Sequence, residues 1–395
     1  MNENYDVAII GGGIIGNSIA ACLAGENEKL NIAVINSTNL GIPASVAAAG
    51  LLTPYQLNEL ENLLVKDFCL KSFKYFPKFL EQIQTENLDL GYKQCGSLYL
   101  IFSNYEIAKK ENEIKEFKNT LEKVSYLNKQ EVIKTEPNVS KDILGAYHFP
   151  NEGFINNPKF LKAITQYCQE QKVKFLNATV NEIKTSKSKI ESILLSDNKT
   201  IQAKKYVLCN GIWANAFLKK LFRTNETIIK AIKGEILQIA AIHELPLQKI
   251  LFCEEGYILP RPATNQFEKP SILIGSTYHE VNIEEGGNTF KNTISGISYL
   301  TNLLQKLLPS CKDFPVLNSW TGLRPQTKDS LPIIGRTDEL ENLYLALGHY
   351  RNGILMGPYT GKVLKDLILE NEPEYNIKPF KIERLLKKEL ISSKH

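Results

Sequence analysis

Residues 5–10, YDVAII, form a short, mostly apolar run with β-branched members, the pattern of a buried strand. The run ends in GGGIIG at 11–16, and the small and apolar residues 17–24 that follow fit a helix. Residues 31–35 repeat the strand pattern. Apolar side chains recur at helical spacing over 56–86, and GSLYLIF at 96–102 predicts a strand. The heavily charged stretch 103–136 is helical in pattern and predicts a solvated pair of surface helices. Pro150 and Gly153 mark a crossing between domains, and a helix is expected over 157–170 with Pro158 near its first turn. Residues 173–180 and 201–208 predict further strands of the first sheet. Strands at 228–239, 257–260 and 271–277 and a helix at about 290–308 make up a second, strand-rich region. A strand at 342–347 and a helix from about 353 to 369 follow, with Asn352 placed as the N-cap. The whole predicts an α/β protein: a Rossmann-like domain and a second domain on a mixed or antiparallel sheet.

The strand–turn–helix at the start carries chemistry. Gly11-Gly12-Gly13-Ile14-Ile15-Gly16 is a G-x-G-x-x-G in the context that a dinucleotide needs. Gly11 permits the tight turn, Gly13 lets a pyrophosphate approach the backbone, and Gly16 lets the helix pack on the strand. Asn36 stands twenty residues past Gly16, where such folds usually carry Asp or Glu for the ribose hydroxyls. An amide can accept one bond and donate another; Asn36 also reads as a plain turn residue. No Lys or Arg lies between Asn36 and Gly50, which argues against a 2′-phosphate and so against NADP. Ala47 to Gly50 leave the backbone nearly bare, either for a flat ring system or as an ordinary Ala-rich helix start. The second strand-to-helix turn, Cys209 to Ala214, again holds a glycine. A nucleotide domain that resumes after an insertion is more typical of FAD proteins than of simple NAD dehydrogenases.

Length and composition narrow the class. At 395 residues two domains are expected, and 43% hydrophobic with 23% charged residues suits a globular protein. A net charge of +4 gives no argument for nucleic acid. The seven cysteines are widely spaced with no C-x-x-C, and the five histidines show no H-x-x-x-H pairing. That pattern predicts reduced thiols, a cytoplasmic setting and no metal. The start lacks a basic n-region, so no signal peptide is expected, and no stable membrane insertion. The tail, 373–395, is basic; a solvated terminal helix or a membrane-surface contact are its two readings.

Four segments together, GGGIIG, ASVAAAGLLTP, WTGLRPQTKDSLPIIG and GHYRNGILMGP, resemble the D-amino-acid oxidase and glycine oxidase family, in order and over nearly the whole chain. The last two are most similar to the glycine oxidases of thiamine biosynthesis. The resemblance implies a two-domain fold with non-covalent FAD. It implies an FAD-binding domain from 1–89, 155–218 and 320–372 and a substrate domain from 90–154 and 219–319. Ile14 and Ile15 fall at the pyrophosphate, Asn36 and Ser37 at the ribose, and Val180 at the adenine through its backbone. Ala44, Ser45, Ala49, Gly50 and Leu51 fall along the flavin. His349, Tyr350, Arg351, Asn352, Gly353, Ile354 and Leu355 wrap its ring. Arg324 and Arg351 match the carboxylate ligands, and Tyr257 matches the tyrosine before a Pro-Arg pair. Ala231, Gly234 and Glu235 stand where the family often has a Pro and then Gly-Gln, so the edge of the substrate domain is expected to differ. A homo-oligomer is what the family suggests.

Amino-acid oxidation by a flavin needs orientation more than acid–base groups. A planar guanidinium suits a carboxylate better than Lys, which gives Arg324 or Arg351 a task. No catalytic side chain beyond the flavin is expected. The implied activity is oxidative deamination of glycine, sarcosine or D-alanine, with O2 reduced to H2O2 and the imine feeding thiazole synthesis. Two other readings stand beside it: a dehydrogenase passing electrons to a quinone, and a flavin-binding protein without turnover.

Overall fold

The computed structural model describes residues 2–26, 30–37, 42–56, 62–83, 89–116, 124–241, 247–263, 269–283 and 287–386. The first of two large sheets is built on the strand Asn2–Ile10, which pairs in parallel with Ile32–Asn36 and with Thr200–Leu208. Lys174–Asn177 and Leu343–Leu347 extend it in parallel on either side, and Ile333–Arg336 closes one edge antiparallel. Val7 to Ile10 and Ile32 to Ile35 are all at most 3% exposed. Burial is continuous rather than alternating because both faces of a parallel sheet are covered. One face lies under the helices Ile14–Ala24, Leu63–Ile83, Asn157–Glu170 and Gly353–Ile368. An antiparallel pair that the pattern did not predict, Val180–Ser186 with Lys189–Leu195, joins the sheet beside Thr200–Leu208.

The second sheet has nine strands among the described residues and is mixed, as expected. Its long central strand Ile229–Ala240 pairs antiparallel with Ser271–Gly275 and with the whole of Val316–Thr327. Gly256–Arg261 and Ile250–Cys253 continue it. Ile250–Cys253 then runs parallel to Ser97–Ile101. The helix Ile294–Leu307 packs on one face through Leu300, Leu303, Leu304 and Leu307. A short link, Leu51–Leu52 against Gly153–Phe154, ties the Ala-rich segment to the crossing.

The structure differs from expectation in three places. The charged stretch holds the helices Asn104–Glu116 and Lys129–Thr135, but Ser125–Asn128 between them is an edge strand of the second sheet. Its mostly exposed, polar side chains gave no apolar alternation to read. The expected boundary at 320 falls inside Val316–Thr327, so residues 320–327 pair in the second sheet. The tail is no solvated helix up to 386. Lys378–Phe380 and Ile382–Arg384 are single turns that bury Phe380 and Ile382, and Arg384 grips Asp329 through Nε at 2.7 Å. Residues 387–395 lie outside the described residues. No helix among the described residues is long and apolar enough to cross a membrane.

Candidate functional site

A cavity of about 1530 Å³ runs between the two sheets, above the ends of Asn2–Ile10 and Thr200–Leu208 and against Ile229–Ala240. That is more than the 300–1,000 Å³ typical of a small-ligand pocket. Ligands collect at such strand ends in open α/β sheets.

One end is the glycine turn. Gly11 has φ +121°, and a Cβ there would stand 2.7 Å from the Cys209 carbonyl carbon. Gly13 occupies the N-cap of Ile14–Ala24 with no side-chain cap, and no acidic residue sits in the first turn. Helix amides and the positive end of the peptide dipoles thus meet the cavity without a competing carboxylate. The Ile14 N–H donates to Ser45 Oγ at 2.9 Å, a hydroxyl from the facing Ala-rich segment. This donor set fits a pyrophosphate. Gly16 lies outside the lining: its Cβ would meet the Gly11 carbonyl oxygen at 1.9 Å, so it sets helix-to-strand packing. Asn36 lines the cavity, and its Oδ1 accepts the Gly12 N–H at 3.1 Å. Ser37 accepts from Thr179 Oγ1 at 2.9 Å, and Val180 lies on the same wall.

The Ala-rich segment is a four-residue helix, Ala44–Ala47, followed by extended backbone. Three side chains that sequence reading passed over hold it. Trp320 Nε1 donates to the Ala47 carbonyl at 2.9 Å. Asn157 Nδ2 donates to the Ser45 and Val46 carbonyls at 2.6 and 2.9 Å. Arg261 donates to Ile155 at 3.0 Å and to Ala49 at 2.5 Å. Burial lowers Arg261 to about 10, and Tyr257 offsets part of that. The available signal was the Pro-Arg pair after Tyr257, which marks Arg261 but not its target.

At the other end Arg324, from Val316–Thr327, reaches over Gly234 of the paired strand. A Cβ at Gly234 would lie 2.1 Å from Arg324 Nη2. Arg324 donates to Ser276 Oγ at 2.6 Å and to the Thr277 carbonyl at 3.3 Å. Both are neutral, and no carboxylate among the described residues pairs with it. Burial holds its guanidinium below the usual range; Tyr257 and Tyr350 oppose that, and Arg351 adds to it. Tyr257 is a neighbour on the same wall, its phenol pushed up by burial. A half-buried cation among neutral acceptors calls for an anion. Arg351 lines the cavity from its rim, with an exposed side chain.

The loop from His349 to Ile354 closes the wall. His349 is 4% exposed, and its Nε2 sits 3.1 Å from Thr360 Oγ1. Burial drives it down to about 3, so it stays neutral at working pH. Asn352 occupies the cap position of Gly353–Ile368, but its side chain makes no cap bond. No side chain of the cap residue therefore competes for the first amides of that helix. Leu355 lies outside the lining, 2% exposed in the core behind it.

Fold and cavity define a two-sheet protein of the dinucleotide-binding class. Residues 6–367 match the FAD dependent oxidoreductase family, and the chain belongs to that family, whose cofactor is FAD. It is 28% identical to the glycine oxidase of Bacillus subtilis, over 97% of this chain and 98% of that one. It is 31% identical to the bifunctional protein ThiO/ThiG of Trichormus variabilis, over 97% of this chain. The chain spans about half the length of such bifunctional relatives, 55% in that case. The crystal structure of glycine oxidase from Geobacillus kaustophilus superposes with a TM-score of 0.87 at 28% identity, covering 98% of this chain and all of that one.

Proposed function

We propose that the chain oxidises glycine and small primary or secondary amino acids such as sarcosine and D-alanine, with FAD bound non-covalently. The observation that carries this reading is Arg324, a cation among neutral partners beside Tyr257, at the far end of a cavity that begins at a glycine turn with no acidic residue in the helix's first turn. In this reading Gly11, Gly13, Ile14 and Ile15 hold the pyrophosphate, and Asn36, Ser37 and Val180 hold the adenosine. Ala44, Ser45, Ala49, Gly50 and Leu51 face the flavin from one side. His349 to Ile354 face it from the other, while Gly16 and Leu355 support the wall from behind. Bound FAD supplies acceptance of the two electrons and the α-hydrogen as hydride, and their delivery to O2. Arg324 fixes the carboxylate through a planar fork and Tyr257 adds a neutral donor. Arg351, at the rim, supplies a second positive charge that draws the substrate inward. The amine needs only to be neutral, so no side chain has to act as a strong base. The apolar wall excludes water from the reacting carbon. The imine product would feed thiazole synthesis for thiamine, the setting that the ThiO name of relatives suggests. A cytoplasmic homo-oligomer completes the reading.

The test is anaerobic addition of glycine to the purified holoenzyme while flavin absorbance is followed. Bleaching that air reverses, with one H2O2 per glycine, is expected. Bleaching that only a quinone reverses would make the protein a dehydrogenase. No bleaching by glycine, sarcosine or D-alanine would refute the reading.

A further inference from the structure

Ser276 belongs to no motif and follows directly on the strand Ser271–Gly275. It is half-buried and lines the cavity. Two side chains converge on it. Arg324 Nη2 donates to its Oγ at 2.6 Å, and the Tyr257 hydroxyl lies within its reach. Both reach Ser276 by lying flat on glycine backbone. Arg324 crosses Gly234, and Tyr257 lies over its register partner Gly275, where a Cβ would stand 2.3 Å from the phenol oxygen. Both side chains therefore end beside the same hydroxyl.

Counting protons gives the chain a direction. A guanidinium only donates, so the Ser276 oxygen is an acceptor toward Arg324. Ser276 has one proton, and the Tyr257 oxygen is the neighbouring acceptor for it. Tyr257 then keeps its own proton for an acceptor in the cavity. A cation at the head of such a series strengthens each following bond. Burial keeps the phenol protonated, so that proton is present to give.

We propose that Ser276 is a positioning residue for the substrate carboxylate: it holds the fork of Arg324 and turns the Tyr257 hydroxyl outward as a donor. The inference rests on the functional reading above. It does not touch the substrate and acts through both ligands.

The experiment compares wild type, Ser276→Ala, Ser276→Thr, Tyr257→Phe and the Ser276→Ala/Tyr257→Phe pair as holoenzymes. Acetate, a carboxylate without an amine, is titrated against flavin absorbance, and anaerobic reduction by glycine and by glycinamide is timed. Ser276→Ala should raise the acetate Kd and the glycine KM about tenfold, the loss expected for one hydrogen bond to a charged group. The limiting reduction rate should stay within about threefold, and Ser276→Thr should restore the acetate Kd. In the Tyr257→Phe background the same change should cost measurably less than in wild type, because one of the two side chains it holds has lost its donor while the Arg324 fork still depends on it. An unchanged acetate Kd in Ser276→Ala, an equal cost in both backgrounds, or an equal loss with glycinamide would overturn the proposal. Should Ser276→Ala fail to retain flavin, Ser276→Cys, near in volume and weak in hydrogen bonding, is read in its place by the same criteria. A wild-type protein that glycine does not reduce and acetate does not perturb would instead remove the functional reading.

Discussion

Adding one methyl group at Gly234 is the sharpest perturbation of the carboxylate end. An alanine Cβ there would stand 2.1, 2.4 and 2.5 Å from Arg324 Nη2, Cζ and Nη1. Ordinary contact begins near about 3.5 Å, so the guanidinium must withdraw by roughly 1 Å or more. The strand itself has no objection, since the φ of Gly234 lies outside the left-handed region and Ala in a strand interior is favoured over Gly by up to about 1 kcal/mol. The displaced fork loses the Ser276 bond that holds it at 2.6 Å. A misplacement of about 1 Å costs on the order of 10²-fold, or about 2.7 kcal/mol of transition-state stabilisation. Gly234→Ala should therefore bind flavin and melt at or above the wild-type temperature while kcat/KM for glycine falls on the order of a hundredfold. Arg324→Ala should set the floor below it. The assay is anaerobic stopped-flow reduction together with flavin content and thermal melting. A Gly234→Ala enzyme within about threefold of wild type would show that Arg324 does not orient the substrate from this position.

Two buried titrating groups give pH predictions of opposite sign. Glu152 is fully buried and pushed up by burial to about 7, against hydrogen bonds from Ser97, Gln56 and the Tyr55 N–H. Its folded value lies above the unfolded one, so its favourable contribution is present below about 4.5 and lost as pH rises through about 7. Glu152→Gln should flatten the fall in stability across that window, by up to about 1.4 kcal/mol per pH unit, read from denaturant melts. An unchanged slope would place the loss elsewhere. His349 is the reverse case, since burial holds it near 3 against 6.5 unfolded. Its contribution is present above about 6.5 and lost as pH falls toward 3. His349→Gln, which can still reach Thr360, should weaken that acid sensitivity and leave the pH profile of kcat unchanged between 6 and 9. A profile that moves would make His349 a proton carrier.

The first sheet was legible because its strands are buried on both faces and read as continuous apolar runs, as Val7 to Ile10 do. The glycine turn was legible because its spacing is a backbone requirement that no packing can relax. Val316–Thr327 was read as a motif and not as a twelve-residue strand, since Gly322 and Pro325 interrupt any alternation. It forms because Ile229–Ala240 pairs along its length, a partner about ninety residues away. Ser125–Asn128 is stabilised in the same way, by backbone pairing to Gly145–Phe149 rather than by its own side chains.

The site divides along the same line. Arginine at 324 could be singled out because a guanidinium has a recognisable task, yet its effectiveness depends on residues that carry no chemical signature. Gly234 matters as an absence of Cβ under the fork, and that role became visible only once Ile232 was found opposite Arg324 in the register. Arg261 and Asn157 act on carbonyls of residues 45 to 49, at separations of more than 100 residues in sequence. Motifs name the groups that meet a ligand. The groups that make those positions rigid are chosen by the pairing of strands, so they can be read only after register is known. That is why a conservative change at Gly234 or Ser276 should damage substrate binding as a change at a named ligand does, while leaving the fold and the flavin in place.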